Sequence, residues 1–339
     1  MLPAPCDTAG RMQSIVAVTL PFFALVLCGH LAARRGLLPE AAVPGLNAYV
    51  LYFALPCMLF RFGASMPFGR LIDPTLIGVY ALCALVVVAL TVALTVRSVG
   101  LKNAAFGALV AAFPNSGFMG VPLLVALHGD AAAGPVIGTL LVDLFMTSTL
   151  CLALAHGERD GAGDDAGSAW ATAARALRAA LANPQPWAIA LGAAAAAAGL
   201  HLPAPAAQFV KMLADSASPV ALFTIGAVLS RSGRANRKAN RVTPPALYLP
   251  VAVIKLLLHP ALVFALGAAA RWLGAPLSWP QLVALTLAAA LPSASNVSLL
   301  AERYGADNGR VARIILASTA LAFLSFSALA TLLIEPGAG

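Results

Sequence analysis

Pro114-Asn115-Ser116-Gly117-Phe118-Met119-Gly120-Val121-Pro122 lies in the middle of an apolar run over residues 104–127. Two prolines and two glycines cannot continue an unbroken helix there. Each proline removes a backbone donor and clashes with the preceding turn. Glycine relieves the backbone where it turns. A second stretch, Leu291-Pro292-Ser293-Ala294-Ser295-Asn296-Val297-Ser298, interrupts the apolar run 280–302 in the same way. Inside a membrane the freed N–H and C=O groups are costly unless they line a wet cavity or meet a ligand. If the two breaks face each other, two half-helix N-termini point inward with partial positive charge, a geometry that favours a carboxylate. Asn115 and Asn296 can donate through their amides without burial of a full charge. The candidate substrate-binding set is therefore Asn115, Ser116, Gly117, Ser293, Ser295 and Asn296, with Pro114, Pro122 and Pro292 as helix breaks. The alternative is that kinks are simply tolerated and Ser or Asn tie helices together. It weakens when two breaks fall at matching positions.

The surroundings of these breaks are those of a membrane protein. The chain has 339 residues, 60% hydrophobic and only 10% charged, with mean hydropathy +0.88. A soluble domain carries about 25% charged residues. A spanning helix needs ~20 apolar residues, and ten candidate spans can be read: 12–32, 43–62, 72–96, 104–127, 134–155, 185–200, 208–230, 246–272, 280–302 and 311–333. The five cysteines form no C-x-x-C and no Cys/His cluster, so neither a metal nor another cofactor is expected. No cleavable signal is expected, and the first run reads as a retained helix.

The net charge of +8 is read as topology and not as a nucleic-acid footprint. Arg34, Arg35, Arg97, Lys102, Arg159, Arg175, Arg178, Arg231, Arg234, Arg237, Lys238, Arg241, Arg303 and Arg310 fall in one set of loops. Only Arg11, Arg61, Arg70 and Arg271 fall on the other side. This bias places both termini on the non-cytoplasmic side of the membrane. In the connection 156–184 the acidic, glycine-rich first part reads as a flexible linker. Ser168–Ala182 reads either as an interfacial helix or as an extension of span six.

The halves repeat. Gly36-Leu37 recurs as Gly199-Leu200, and Ala54 through Phe60 recurs as Ala217 through Phe223, both at an offset of 163; Gly63 and Gly226 keep that register. Pro114 and Pro292 pair at an offset of 178. Five spans per half is odd, so the second half enters the membrane upside down. The expected class is all-α and polytopic, with ten transmembrane helices in two inverted five-helix repeats, 12–155 and 185–333, joined by 156–184. Such repeats with interrupted helices point to a secondary transporter.

Charges inside spans default to functional hypotheses, here charge or proton coupling at Asp143, Asp215, Lys255 and His259. Lys211 and Asp215 are four apart and can neutralise one another on one helix face. Lys255 either faces a carboxylate substrate or snorkels to an interface. His259 either exchanges protons near neutral pH or is structural. Arg61, near an outer span end, is expected to snorkel.

The run Pro114 to Leu124 resembles the fourth-helix motif of the auxin efflux carrier family, which includes plant PIN-formed exporters and many bacterial members. Leu291-Pro292 through Ala301-Glu302-Arg303-Tyr304-Gly305 is similar to the ninth-helix motif. Gly29 to Gly36, Asn47 to Pro56 and Ala221 to Gly226 also fit. The resemblance implies a scaffold (spans one, two, six and seven) and a transport domain, with helices four and nine crossing near the midplane at the substrate site. It implies small organic anions, mono- or dicarboxylates such as malonate or malate, carried by alternating access. It also suggests a homodimer, and Asn115 as the substrate-contacting asparagine. The coupling ion would be a proton or sodium. The alternative within this fold type is a sodium-coupled bile-acid-like symporter or a cation/proton antiporter. No Asp-Asp pair appears, and neither broken motif holds a carboxylate for sodium. A membrane enzyme is not expected, because Ser116 has no base partner by spacing.

Overall fold

The computed structural model describes residues 8–65, 73–156, 174, 177–178, 181–238 and 243–334. Among them the regular elements are helices, apart from one isolated antiparallel bridge. In chain order they are α1 (Thr8–Arg34), α2 (Ala42–Ser65), α3 (Pro74–Ala112), α4 (Ser116–His128), α5 (Asp130–Ala155), α6 (Pro184–Ala197), α7 (Ala204–Lys238), α8 (Pro245–Trp272), α9 (Trp279–Ala290), α10 (Asn296–Arg303) and α11 (Asn308–Leu333). Seven of these, α1, α2, α3, α5, α7, α8 and α11, are long and apolar enough to cross a membrane. Large apolar side chains such as Leu27, Leu94, Phe209 and Leu324 stand exposed on them. A surface of that kind suits lipid rather than water.

The sequence reading separated 72–96 from 104–127. The chain instead runs helically from Pro74 to Ala112, bent at Gly100, whose φ of 78° is open to glycine at little cost. The break falls after Ala112, so the first half of the fourth expected span is the end of α3 and its second half is α4. Most of 156–184, including the expected interfacial helix, lies outside the described residues.

Two helix pairs approach at backbone distance. A Cβ on Gly29 would overlap the carbonyl oxygen of Phe223, and one on Gly226 the carbonyl oxygen of Val26, so α1 and α7 touch. A Cβ on Gly63 would meet the Ile189 carbonyl, and one on Gly192 would overlap the Phe60 carbonyl, so α2 and α6 touch. Without a hydrophobic drive between helices in lipid, small residues that permit such contact hold helices together. α2 also packs on α7. α3, α5, α8, α9 and α11 gather around the broken segments.

Arg310 is not a loop charge as expected. It is buried near the start of α11, where Nε donates to the Leu247 carbonyl (2.8 Å) and Nη1 to the Asn103 carbonyl (2.8 Å). Gly107 leaves room for it: a Cβ there would lie 2.8 Å from Nη1.

Candidate functional site

A residue before proline is pushed out of the helical region. Phe113 accordingly has ψ 97° and Leu291 has ψ 154°. Each ends its helix, α3 or α9, and leaves a short extended segment. The two segments meet. Asn115 N–H donates to the Pro292 carbonyl (2.8 Å) and Ala294 N–H to the Phe113 carbonyl (3.0 Å), forming the antiparallel bridge Pro114–Ser293. Backbone groups freed by the two breaks thus satisfy one another. Helical structure resumes after each break. Asn115 C=O accepts from both Met119 N–H (3.1 Å) and Gly120 N–H (3.0 Å), which starts a π-helical turn over Ser116–Gly120. Pro122 does not break the chain as expected. It sits in the first turn of the α-helical part of α4, Val121–His128, where a missing donor is tolerated.

A small cavity of about 20 Å3, one water in size, lies at the crossing. Pro114, Asn115, Gly117 and Asn296 line it, together with Gln185 and Leu55, which the sequence reading did not single out. Asn115 is buried. Asn296 Oδ1 and Ser293 Oγ are buried without a hydrogen-bond partner among the described residues, the kind of orphan that asks for an explanation. An amide can turn to present its Nδ2 donor instead. Ser116 and Ser293 do not line the cavity. Ser116 Oγ lies 3.0 Å from Thr139 Oγ1 of α5, and the backbone N–H of Ser293 donates to Ser318 Oγ of α11 (3.2 Å). Ser295 is buried but does not line the cavity.

Beside the crossing sits a fully buried polar cluster. Ending a helix leaves its last carbonyls without donors, and two buried side chains supply them. Tyr80 OH approaches the Ala112 carbonyl at the end of α3 (3.4 Å), and Lys255 Nζ donates to the Ala289 carbonyl at the end of α9 (2.8 Å). The single Tyr80 hydroxyl proton is shared with Asp143 Oδ2, the shorter contact (3.0 Å), and Thr147 Oγ1 donates to Asp143 Oδ1 (3.1 Å). Lys255 Nζ lies 3.3 Å from His259 Nδ1. Lys255 therefore does not snorkel. Asp143 and Lys255 both sit in π-helical turns, Asp143–Thr147 and Ile254–Leu258, a distortion frequent at functional sites. Tyr80 was missed because a lone tyrosine in an apolar run reads as packing.

Asp215 is not part of this cluster. It lies in α7, paired with Lys211 Nζ (2.6 Å) and with Arg61 Nη1 of α2 (2.9 Å). The expected snorkelling of Arg61 gives way to an interhelical ion pair.

A family described as "Membrane transport protein" matches residues 14–330. The chain belongs to that family. It is the auxin-efflux-like family that the motif around Asn115 resembles, and its members are integral membrane transport proteins rather than enzymes. Among curated proteins, a "Putative malonate transporter" of Rhizobium meliloti (strain 1021) is 29% identical over 94% of this chain and 95% of its own length. An "Uncharacterized transporter YfdV" of Escherichia coli (strain K12) is 25% identical over 84% of this chain and 87% of its own. An "Uncharacterized transporter" of Methanothermobacter thermautotrophicus is 24% identical over 93% and 96%. Family membership assigns a small-molecule cargo to the chain, and the crossing is where uncharged donors and freed backbone meet.

Proposed function

We propose that the protein is a secondary active transporter of small organic anions, with malonate-like dicarboxylates as the first substrates to test. The carrying observation is the crossing itself: two broken helices bonded to each other beside a cavity lined by Asn115, Gly117 and Asn296 and by no carboxylate. An anion there would meet amide donors and two half-helix N-termini. The water-sized cavity requires that the helices separate before a dicarboxylate binds, as alternating access demands. The name of the Rhizobium relative supports the substrate class.

The fold proposed with it is ten transmembrane helices in two inverted repeats, 12–155 and 185–333, joined by 156–184. The close helix contacts support it. Gly29 against Phe223 and Gly192 against Phe60 exchange under a shift of 163 residues (29 to 192, 60 to 223). Gly226 against Val26 and Gly63 against Ile189 exchange under the same shift. At the crossing the two backbone bonds exchange under a shift of 179 (115 to 294, 113 to 292), one more than the proline-to-proline offset. The glycine-paired helices α1, α2, α6 and α7 would be the scaffold, and the helices around the crossing the moving part. The Lys and Arg bias supports termini on the non-cytoplasmic side of a bacterial inner membrane. Asp143, Lys255 and His259 are the groups proposed for ion coupling, with Asp215 set apart from them. A homodimer through the scaffold completes the proposal.

The test is transport of labelled malonate by purified protein in liposomes, under an imposed proton gradient and then a sodium gradient. Asn115→Ala is expected to lower the rate at least tenfold while the protein still folds; unchanged transport would remove Asn115 from the site. Transport that follows sodium and ignores protons would move the protein to the sodium-coupled class.

A further inference from the structure

A larger cavity, of about 990 Å3, lies between α2, α7 and the loop after α6 on one side and α4 with the start of α5 on the other. It reaches Pro122, about two turns along α4 from Asn115. Its titratable wall residues are Arg61, Asp215 and His201 on one side and Asp130 at the start of α5. Lys211 joins through Asp215. Arg61 Nη1 is 2.9 Å from Asp215 Oδ1, and Lys211 Nζ is 2.6 Å from Oδ2. Two cations therefore share one carboxylate.

All three side chains are about half exposed (46%, 55% and 51% for Arg61, Lys211 and Asp215). Asp215 is eleven residues into α7, ~16 Å along its axis. Charge so far into an apolar helix persists where it faces a water-filled cavity or a partner, and this cluster has both. Exposed ion pairs contribute little to folding, so holding α2 to α7 does not require this one, whose helices already pack together. Arginine offers a planar fork matched to two-point carboxylate binding, and Asp215 engages it through Nη1.

We propose that Arg61 and Lys211 form a carboxylate-binding subsite in this cavity, filled by Asp215 when no organic anion is present. An arriving carboxylate replaces the Asp215 carboxylate on Arg61, and Asp215 turns to water or stays with Lys211. With Asp130 counted, the two cations face two carboxylates. Without Asp215 one cation is in excess and the fork is vacant. Recognition of the anion rests on this cavity; its use as an entry point to the crossing rests on the transport reading above.

The test uses Ser65, which lines the same cavity. In a Ser65→Cys variant, alkylation by neutral N-ethylmaleimide is followed with increasing malonate, and the rate of the parent protein is subtracted. Malonate is expected to protect the new thiol saturably. Asp215→Asn should lower the half-protecting concentration roughly three- to tenfold, the scale of one water-screened ion pair. Arg61→Gln should raise it by a similar factor. The double variant should behave as Arg61→Gln, because the gain from removing Asp215 requires the vacated fork. Additive shifts would mean bulk electrostatics. Shifts of the same sign in both single variants would mean a structural clamp. Absence of protection in Asp215→Asn would mean no anion site. Each of these overturns the proposal. Protection is read at the cavity, so it stands or falls whatever Asn115→Ala does to transport.

Discussion

Two groups of charged side chains sit within the apolar helices, and their surroundings separate their roles. Tyr80, Asp143, Lys255 and His259 are fully buried, and each is held by another member or by a carbonyl at a helix break. Arg61, Lys211 and Asp215 are half exposed beside a large cavity. The first group cannot change partner without repacking the crossing. The second is within reach of water, and its ion pairs contribute little to the fold. Burial ties a polar group to the architecture, whereas exposure leaves it free to rearrange.

That contrast can be broken experimentally. The largest effect is expected from Asp143→Ala, which removes the acceptor of two buried hydroxyls, Tyr80 OH and Thr147 Oγ1. At about 1–3 kcal/mol for each unmet buried group, the loss should exceed about 2 kcal/mol, read as a lower melting temperature of the purified protein. A cost below about 1 kcal/mol would show that Asp143 does not hold the cluster together. Next comes Tyr80→Phe, which leaves Asp143 short of one donor, at about 1–3 kcal/mol for an unmet buried group. Thermal unfolding of this variant alone and combined with Asp143→Asn would measure the coupling. The smallest effect is expected from Asp215→Asn, within about 1 kcal/mol, because its pair is screened by water. A melting temperature lowered as far as by Asp143→Ala would make the two clusters equivalent and erase the distinction.

Much of this was legible before any coordinates. The prolines at 114 and 292 carry their breaks in their own chemistry, because the missing donor and the restricted preceding residue act locally. Asn115 stood out for the same reason, as an amide directly after such a break. Pro122 misled because a proline breaks or starts a helix according to where the preceding turn ends, and the π turn at Ser116–Gly120 was not visible. Ser116, Ser293 and Ser295 are legible as polar residues near a break. That Ser116 Oγ faces Thr139, 23 residues on, carries no local signal. Gln185 and Leu55 had no local signal at all, since they enter the cavity from helices that the breaks do not mention.

By itself the sequence determined the apolar helices, the two interruptions and the uneven spread of basic residues, all consequences of composition and of proline's fixed geometry. The tertiary structure alone decided that the two extended segments bond to each other. It also decided that Tyr80 and Lys255 serve the carbonyls left at the helix ends, and that Arg61 crosses to Asp215. Those outcomes depend on which helices touch, and glycines at 29, 63, 192 and 226 fix that by letting backbones approach where any Cβ would collide.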